Sequence, residues 1–330
     1  MTKHRTVAVL GAGAWGTALA NVSARNGADT ILWARDAAHI GEMKAERQNR
    51  RRLPGIALEA GVHPSGQLSD IAKADVVLAV VPAQAVRSLC EQMRAVLKAG
   101  TPVVVCAKGI ERQTGKFMSD VVTEVLPDHQ PAILSGPSFA DDVAKGLPTA
   151  VTLAAHDEPL ARDLVGAIGI PSFRLYHSLD VRGVEIGGAA KNVLAIACGI
   201  AQGRELGASA SAALVARGFA ELMRFGRAYG ARAETLMGLS GLGDLVLTCG
   251  STQSRNFSLG LALGRGESLQ QASGGKLAEG AFTASILVEM ARQKGVEMPI
   301  AASIDAVLAE RMSVREAIEA LLMRPSKAEI

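Results

Sequence analysis

The chain has 330 residues, of which 48% are hydrophobic and 20% are charged, so its composition excludes a disordered protein and leaves room for two domains with large cores. Its 35 basic and 32 acidic residues nearly cancel to a net charge of +3, and no basic arm supports nucleic-acid binding. No apolar run reaches the roughly twenty residues that span a bilayer, because glycines and charges interrupt each candidate.

The first predicted element is an apolar strand over residues 7–10 that runs directly into Gly11-Ala12-Gly13-Ala14-Trp15-Gly16. A helix over 17–25 and a second apolar strand over 30–33 follow, as a βαβ unit requires. In this context the G-x-G-x-x-G spacing predicts a dinucleotide site. Gly11 permits the tight turn, Gly13 admits the pyrophosphate, and Gly16 allows close helix packing.

The N-terminal segment imitates a signal peptide, but three glycines interrupt its apolar part, so we expect it to be retained in a cytoplasmic protein. The cysteines fit that reducing compartment. They are widely spaced and include no C-x-x-C pair or histidine cluster, so we expect no zinc or other metal site. They are Cys90, Cys106, Cys198 and Cys249.

Two adjacent charges at the end of the second strand bear on the form of the cofactor. Asp36 lies about twenty residues beyond the glycine turn, where an acid binds a ribose 2′-hydroxyl, whereas Arg35 offers a guanidinium suited to a 2′-phosphate. The pair favours NADP(H) with NAD(H) tolerated. In the alternative interpretation, either side chain merely caps the strand in solvent.

Further strands are predicted over 75–81, 102–107, 132–134 and 149–153, with helices over 83–97 and 116–125. This alternation predicts an α/β Rossmann-type doubly wound domain with a mainly parallel sheet. Ligands of such sheets bind beyond the carboxyl ends of the strands. The candidates at those ends are Pro82, Lys108 and Gly136-Pro137-Ser138.

From about residue 184 the pattern changes to small-residue helices over 184–201, 209–229 and 282–294, without a convincing strand. We therefore expect a dinucleotide-binding domain over 1–183 followed by an all-α substrate domain over 184–330. The glycine-rich segment 240–250 is interpreted as a shaped loop. The active site is expected in the cleft between the domains.

Lys191 is the only charged residue between Glu185 and Arg204, in a helix that its composition predicts to be buried nearly all round. A lysine there must reach solvent, pair with an anion or lose its proton. The last case yields an amine that exchanges protons near neutral pH, so Lys191 is the candidate catalytic residue.

Asp244 is also isolated, as the only charge between Glu234 and Arg255. Three roles are open to it: orienting the lysine, binding a substrate hydroxyl, or capping a helix. The segment Ser254-Arg255-Asn256 then supplies a guanidinium flanked by two polar groups, which suits a phosphate.

These residues lie in motifs that resemble the bacterial NAD(P)-dependent glycerol-3-phosphate dehydrogenase family over nearly the full length. The motifs occur in one order, which makes the resemblance specific. They are GAGAWGTALA at 11–20, Lys108-Gly109, SGPSFA at 135–140, GGAAKN at 187–192, GLSGLGDLVLTC at 238–249, QSRN at 253–256, Glu279-Gly280 and GVEMPI at 295–300.

The resemblance implies reversible reduction of dihydroxyacetone phosphate to sn-glycerol 3-phosphate for phospholipid synthesis, in a protein that is commonly a homodimer. It implies that Lys191 is the proton donor or acceptor and that Lys108 polarises the carbonyl and also contacts the cofactor. The other implied substrate-binding residues are Gly136, Ser138, Asp244, Ser254, Arg255 and Asn256. The other implied cofactor-binding residues are Ala14, Trp15, Arg35, Ala140, Arg255, Leu277 and Glu279.

Two alternatives remain at this stage. A dehydrogenase of hydroxy acids would combine the same two domains, and Arg255 would then bind a carboxylate; such an enzyme would ignore dihydroxyacetone phosphate. A non-catalytic NADP(H) sensor would bind cofactor without consuming it, but it has no need of two isolated charges and a phosphate-type guanidinium.

Overall fold

The computed structural model describes residues 5–274 and 279–325, in which an eight-stranded sheet precedes a helical region. The sheet order is β3-β2-β1-β4-β5-β6-β7-β8, and every neighbouring pair is parallel except β6 with β7. The predicted α/β Rossmann-type class followed by helices is confirmed. The strands are β1 (Thr6–Leu10), β2 (Asp29–Trp33), β3 (Val62–Ser65), β4 (Val76–Ala79), β5 (Val103–Val105), β6 (Pro131–Ser135), β7 (Thr149–Ala155) and β8 (Phe173–Ser178).

The strand order reverses direction beside β1. This strand pairs with β2 on one side, where Val7 lies opposite Thr30, and with β4 on the other, where Val7 lies opposite Val76. The chain therefore winds outward to β3 and then returns to β4. Such a switch point opens a crevice at the carboxyl ends of the strands, and β1, β4, β5 and β6 all end at that edge.

Helices cover both faces of the sheet and bury two separate apolar clusters against it. The predicted helix over 83–97 is wrong in its bounds, because a 3-10 turn at Ala83–Ala85 precedes a shorter α-helix. These helices are α1 (Ala14–Arg25), α2 (Ala37–Glu46), α3 (Val86–Met93), α4 (Met118–Val125), α5 (Ala140–Ala144) and α6 (Glu158–Ile168).

The part of the chain described after β8 is helical. The loop predicted over 240–250 is wrong, since a π-helical turn at Leu239–Gly243 leads straight into a helix. The proposed division between residues 183 and 184 falls in the first turn of the long helix. The helices are α7 (Val181–Gly203), α8 (Gly207–Ala228), α9 (Ala233–Met237), α10 (Asp244–Cys249), α11 (Arg255–Gly264), α12 (Leu269–Ser273), α13 (Glu279–Gln293), α14 (Pro299–Leu308) and α15 (Val314–Leu322).

Helix α7 is the centre of this region, with 20 of its 23 residues buried. Its backbone lies directly against α11: a Cβ atom on Gly199 would stand 2.1 Å from the carbonyl oxygen of Phe257, and one on Gly260 would stand 2.0 Å from that of Ile196. Among the described helices, α7 alone is long and apolar enough to cross a membrane. Its apolar stretch is wholly buried inside the protein, as in a core helix.

Candidate active site

The glycine turn after β1 leaves open space at the start of α1. Gly11 has φ +122°, and a Cβ there would lie 2.3 Å from the Val80 carbonyl oxygen, so a side chain is excluded. A Cβ on Gly16 would lie 1.8 Å from the Gly11 oxygen. Gly13 is exposed, and beyond its own chain neighbours no atom lies within 4 Å of the place its Cβ would take.

This geometry fits the diphosphate of a dinucleotide. Gly13 is the N-cap of α1, and the first N–H groups of a helix have no partner within the helix. They face the open side with the positive end of the helix dipole, which attracts an anion.

The other cofactor positions on the sheet domain lie in first helical turns. Ala14 and Trp15 open α1, where the Trp15 ring packs edge-on against Phe173 with centroids 6.1 Å apart. Ala140 is the first residue of α5 and packs against the buried apolar cluster. Leu277 lies outside the described residues.

The structure separates the two charges at the end of β2. Asp36 caps α2 by accepting hydrogen bonds from the N–H groups of Ala38 and His39, and it also pairs with Arg51 at 3.0 Å. Arg35 is exposed, and within residues 5–274 and 279–325 no hydrogen bond or ion pair engages its guanidinium. Arg35 is therefore available to an external anion, while Asp36 is occupied.

A cleft of about 170 Å³ lies where the sheet domain meets the helical domain. Seven of the predicted site residues line it, together with four that sequence reasoning did not select. The predicted seven are Lys108, Ser138, Lys191, Ser254, Arg255, Asn256 and Glu279, and the other four are Phe139, Asn192, Thr248 and Gln253.

Two lysines from different domains share one carboxylate beside this cleft. Lys108 follows β5, and its Nζ lies 2.6 Å from Asp244 Oδ2; Lys191 comes from the middle of α7, and its Nζ lies 2.7 Å from Asp244 Oδ1. Asp244 is 1% exposed and is the first residue of α10, but both its oxygens bind lysines. The carboxylate thus orients the two ammonium groups.

The surroundings of the cluster fix its polarity. Lys108 also donates to the Gly136 carbonyl oxygen at 3.0 Å, and that oxygen accepts from the Ser138 hydroxyl at 3.1 Å. Two ammonium groups against one carboxylate leave a net charge of +1 in a poorly hydrated place. Such a place stabilises negative charge that develops on a neighbouring oxygen.

Burial and neighbouring charges shift the titration of this cluster. Burial lowers the pKa of Lys191 to about 8, with the attraction of Asp244 opposing that effect and the repulsion of Lys108 adding to it. Burial alone would raise the pKa of Asp244, but the two lysines together hold it below its ordinary value. A lysine with a pKa near 8 exchanges protons readily at physiological pH.

The N-terminus of α11 forms the opposite wall of the cleft. Ser254 caps this helix by accepting from the Phe257 N–H at 3.2 Å, so the N–H groups of Arg255 and Asn256 have no partner within the helix. The Arg255 guanidinium is exposed and makes no hydrogen bond or ion pair with described residues. The wall offers backbone donors and a positive fork to an anion.

Two of the additional cleft residues lie close to predicted site residues along the sequence. Thr248 lies one helical turn after Asp244, and its hydroxyl accepts from Lys191 Nζ at 2.7 Å and donates to Asp244 Oδ1 at 3.2 Å. Asn192 follows Lys191 and joins the walls: its Nδ2 lies 3.4 Å from the Lys108 carbonyl oxygen, and its Oδ1 accepts from Asn256.

Glu279 connects the two domains at the edge of the cleft. Its Oε1 accepts a hydrogen bond from the Ala83 N–H at 3.0 Å, on the turn that follows β4. Burial raises the pKa of this carboxyl, and the Ala83 hydrogen bond opposes the rise. Its Oε1 is therefore engaged with the sheet domain, and none of the described residues hydrogen-bonds its Oε2.

Comparison with known proteins identifies similar chains over the full length. Residues 6–161 match the family described as NAD-dependent glycerol-3-phosphate dehydrogenase N-terminus, and residues 180–319 match its C-terminus. The chain is 63% identical to glycerol-3-phosphate dehydrogenase [NAD(P)+] of Azorhizobium caulinodans, covering 100% of each. It is 62% identical to the enzyme of the same name from Beijerinckia indica, covering 100% of this chain and 99% of that one.

Solved structures give the same result for the fold. The crystal structure of glycerol-3-phosphate dehydrogenase from Coxiella burnetii matches with a TM-score of 0.93 and 38% identity, covering 97% of this chain and 99% of that one. A D-mandelate dehydrogenase bound to NADH matches with a TM-score of 0.65 and 14% identity, covering 97% and 100%. The second match extends to the fold alone.

Proposed function

This chain belongs to the NAD-dependent glycerol-3-phosphate dehydrogenase family, and we propose that Lys191, Lys108 and Asp244 carry its catalysis. It is an NAD(P)-dependent oxidoreductase that interconverts dihydroxyacetone phosphate and glycerol 3-phosphate. The observation that supports the proposed roles is the buried carboxylate shared by two lysines, beside a cleft lined by an arginine that pairs with none of the described residues.

The substrate phosphate binds at the N-terminus of α11. Arg255 supplies a guanidinium, and the unpaired N–H groups of Arg255 and Asn256 supply donors of the kind that phosphate accepts. Ser254 and Ser138 offer hydroxyls along the same cleft. This wall holds the phosphate, so the three-carbon chain extends toward the lysines.

The lysines act on the carbonyl end. Lys108 donates toward the carbonyl oxygen and stabilises the negative charge that grows there. Lys191 then gives its proton to that oxygen in the direction of reduction, and in oxidation the neutral amine takes the proton back from the hydroxyl. Asp244 and Thr248 keep the Lys191 ammonium directed and limit its mobility.

The proposed cofactor residues of the sheet domain follow the carboxyl ends of its strands. NAD(P)H supplies the hydride when bound. The glycine turn would hold the diphosphate, Ala14, Trp15, Ala140 and Glu279 would contact the cofactor, and Arg35 would bind the 2′-phosphate of NADP(H). Because Asp36 is engaged by α2 and Arg51, we propose that NADPH is preferred and NADH accepted.

Its cellular setting follows from the same features. All four cysteines are buried free thiols, which is typical of a reducing compartment, so we place the enzyme in the cytoplasm, where its product feeds phospholipid synthesis. We also propose a homodimer formed through the helical domain. Its support is the apolar surface near α15, where Leu322 and Met323 are 78% and 83% exposed, and light scattering of the purified protein tests it.

Oxidation of NADPH and NADH by the purified protein, with dihydroxyacetone phosphate or a series of keto acids, tests the activity. Lys191→Ala should lower kcat about a hundredfold or more while cofactor still binds, because a donor to the developing oxyanion is lost. Lys145→Ala is the matched control, since that lysine pairs with Asp141 on the surface. Near wild-type turnover by Lys191→Ala, or a preference for keto acids, would overturn the proposal.

A further inference from the structure

A hydrogen-bonded network of buried polar side chains lies directly beneath the glycine turn, and the reaction described above does not use it. Thr17 and Asn49 are completely buried and His39 is 7% exposed. Asn49 Nδ2 lies 3.1 Å from the Ala12 carbonyl oxygen and 2.7 Å from Thr17 Oγ1, and Asn49 Oδ1 lies 2.8 Å from His39 Nε2.

The donor and the acceptor of every hydrogen bond in this network can be assigned. The Thr17 hydroxyl donates to the Gly13 carbonyl oxygen at 2.8 Å, so its oxygen accepts from Asn49. Asn49 Nδ2 therefore donates both of its hydrogens, one to the Thr17 hydroxyl oxygen and one to the Ala12 carbonyl oxygen. Since Asn49 Oδ1 only accepts, His39 must carry its proton on Nε2 and donate it.

These bonds fix the orientation of two peptide planes in the turn. A carbonyl oxygen and the N–H of the next residue belong to one planar unit and point in opposite directions. When Asn49 holds the Ala12 oxygen inward, the Gly13 N–H points outward, on the exposed side. The next plane is held by Thr17, whose backbone N–H and hydroxyl both donate to the Gly13 oxygen, at 3.0 and 2.8 Å, and this directs the Ala14 N–H outward.

We propose that Asn49 is a positioning residue that presets the Gly13 and Ala14 N–H groups for the cofactor diphosphate, with Thr17 and His39 holding it in place. The proposal rests on the NAD(P) site proposed above. Preset donors bind an anion without first reorganising, so their loss weakens binding rather than chemistry.

The Asn49 side chain also connects the glycine turn with the start of α2. His39 lies in the first turn of α2, whose N-cap Asp36 directly follows Arg35. Asn49 follows α2, and its own carbonyl oxygen accepts from the Leu53 N–H at 2.8 Å, which organises the loop after it. Through these contacts, α2 and the loop that follows it are tied to the glycine turn.

Direct titration of NADPH into the purified protein tests the proposal. Asn49→Ala should raise the Kd of NADPH and of competing ADP about tenfold, with kcat at saturating NADPH within about twofold of wild type, since one charge-assisted hydrogen bond is weakened. Binding of adenosine 2′-monophosphate, which lacks the diphosphate, should change less than about twofold. Thr17→Val should act in the same direction, and Thr17→Ser should restore tight binding because it keeps the hydroxyl.

Asn21→Ala is the matched control. Asn21 is as buried as Asn49 and lies on α1 with Thr17, but its side chain hydrogen-bonds the backbone of Ala57 and Glu59 and not that of the glycine turn. Asn21→Ala should have a lower free energy of unfolding than wild type but the same Kd for NADPH. Equal changes in Kd for Asn49→Ala and Asn21→Ala, or ADP binding unchanged in both Asn49→Ala and Thr17→Val, would overturn the proposal. Binding is measured without substrate, so a failure of dihydroxyacetone phosphate turnover would count against the proposed function alone.

Discussion

Replacing Asp244 by asparagine should move the pH dependence of catalysis as well as lower its rate. The substitution keeps the shape of the side chain but removes the negative charge that lies 2.7 Å from Lys191 Nζ. At an effective dielectric constant of about 20 the lost attraction is roughly 6 kcal/mol, most of which the amide oxygen and movement of the lysines recover. We expect about 2 kcal/mol to remain, which lowers the pKa of Lys191 by about 1.5 units.

The assay is kcat/KM for reduction of dihydroxyacetone phosphate between pH 5.5 and 9.5. Wild-type activity should fall as the pH rises through about 8, where Lys191 loses the proton that we propose it donates. In Asp244→Asn the fall should be centred near pH 6.5, so that at pH 7.5 the protonated fraction drops from about three quarters to about one tenth.

Titration of the substrate phosphate is common to both proteins and cancels in their ratio. Asp305→Asn, which removes an ion-paired carboxylate from α14, is the control and should leave the profile unchanged. If Asp244→Asn lowers kcat/KM by the same factor at every pH, Asp244 does not set the protonation of Lys191, and the reasoning fails.

Three further predictions concern cofactor choice and stability. Arg35→Ala should raise the Kd of NADPH about tenfold or more and that of NADH less than about twofold, because only NADPH carries the 2′-phosphate; equal losses in the two titrations would contradict the role. Burial raises the pKa of Glu185 to about 7, so the folded state holds this proton more tightly, and the stability it contributes below pH 4.5 is lost as the pH rises through 7. In urea unfolding, the free energy of unfolding of Glu185→Gln should therefore rise relative to that of wild type by up to about 3 kcal/mol between pH 4.5 and 8. A difference between the two proteins that does not change with pH would refute this. Gly260→Ala should lower the free energy of unfolding by about 1–3 kcal/mol because its Cβ meets a backbone oxygen, whereas Gly166→Ala, with open space at its Cβ, should be neutral or stabilising.

The strands that could be predicted from the sequence are those with continuous apolar runs. Both missed strands lie at the edges of the sheet, where one face is solvated: β3 contains a proline and an exposed histidine, and β8 alternates buried Phe173 with exposed Arg174. Such short polar segments carry little of the signal by which buried parallel strands are recognised. The antiparallel direction of β7 could not be predicted either, because an apolar run does not indicate which way its strand runs in the sheet.

The polar residues of the proposed site differed in how readily the sequence indicated them. Asn49 stands beside three arginines, so its surroundings predict a solvated loop, and only the folded chain shows that it is completely buried under the glycine turn. Thr248 was overlooked for the opposite reason, since a threonine within an apolar helix is a common and inexpensive core residue. Composition over a few neighbours cannot reveal a hydrogen-bond partner supplied by a distant segment.

Lys191 and Asp244 were found because an isolated charge in an apolar helix must be paired or neutralised, and that cost is visible in the sequence. The sequence did not reveal that each is the partner of the other, 53 positions away, or that Lys108 is a third member from the sheet domain. The third member is central to the mechanism proposed above. A single buried lysine paired with one aspartate would carry no net charge. The second lysine leaves a net positive charge beside the cleft, which stabilises an oxygen that is becoming negative.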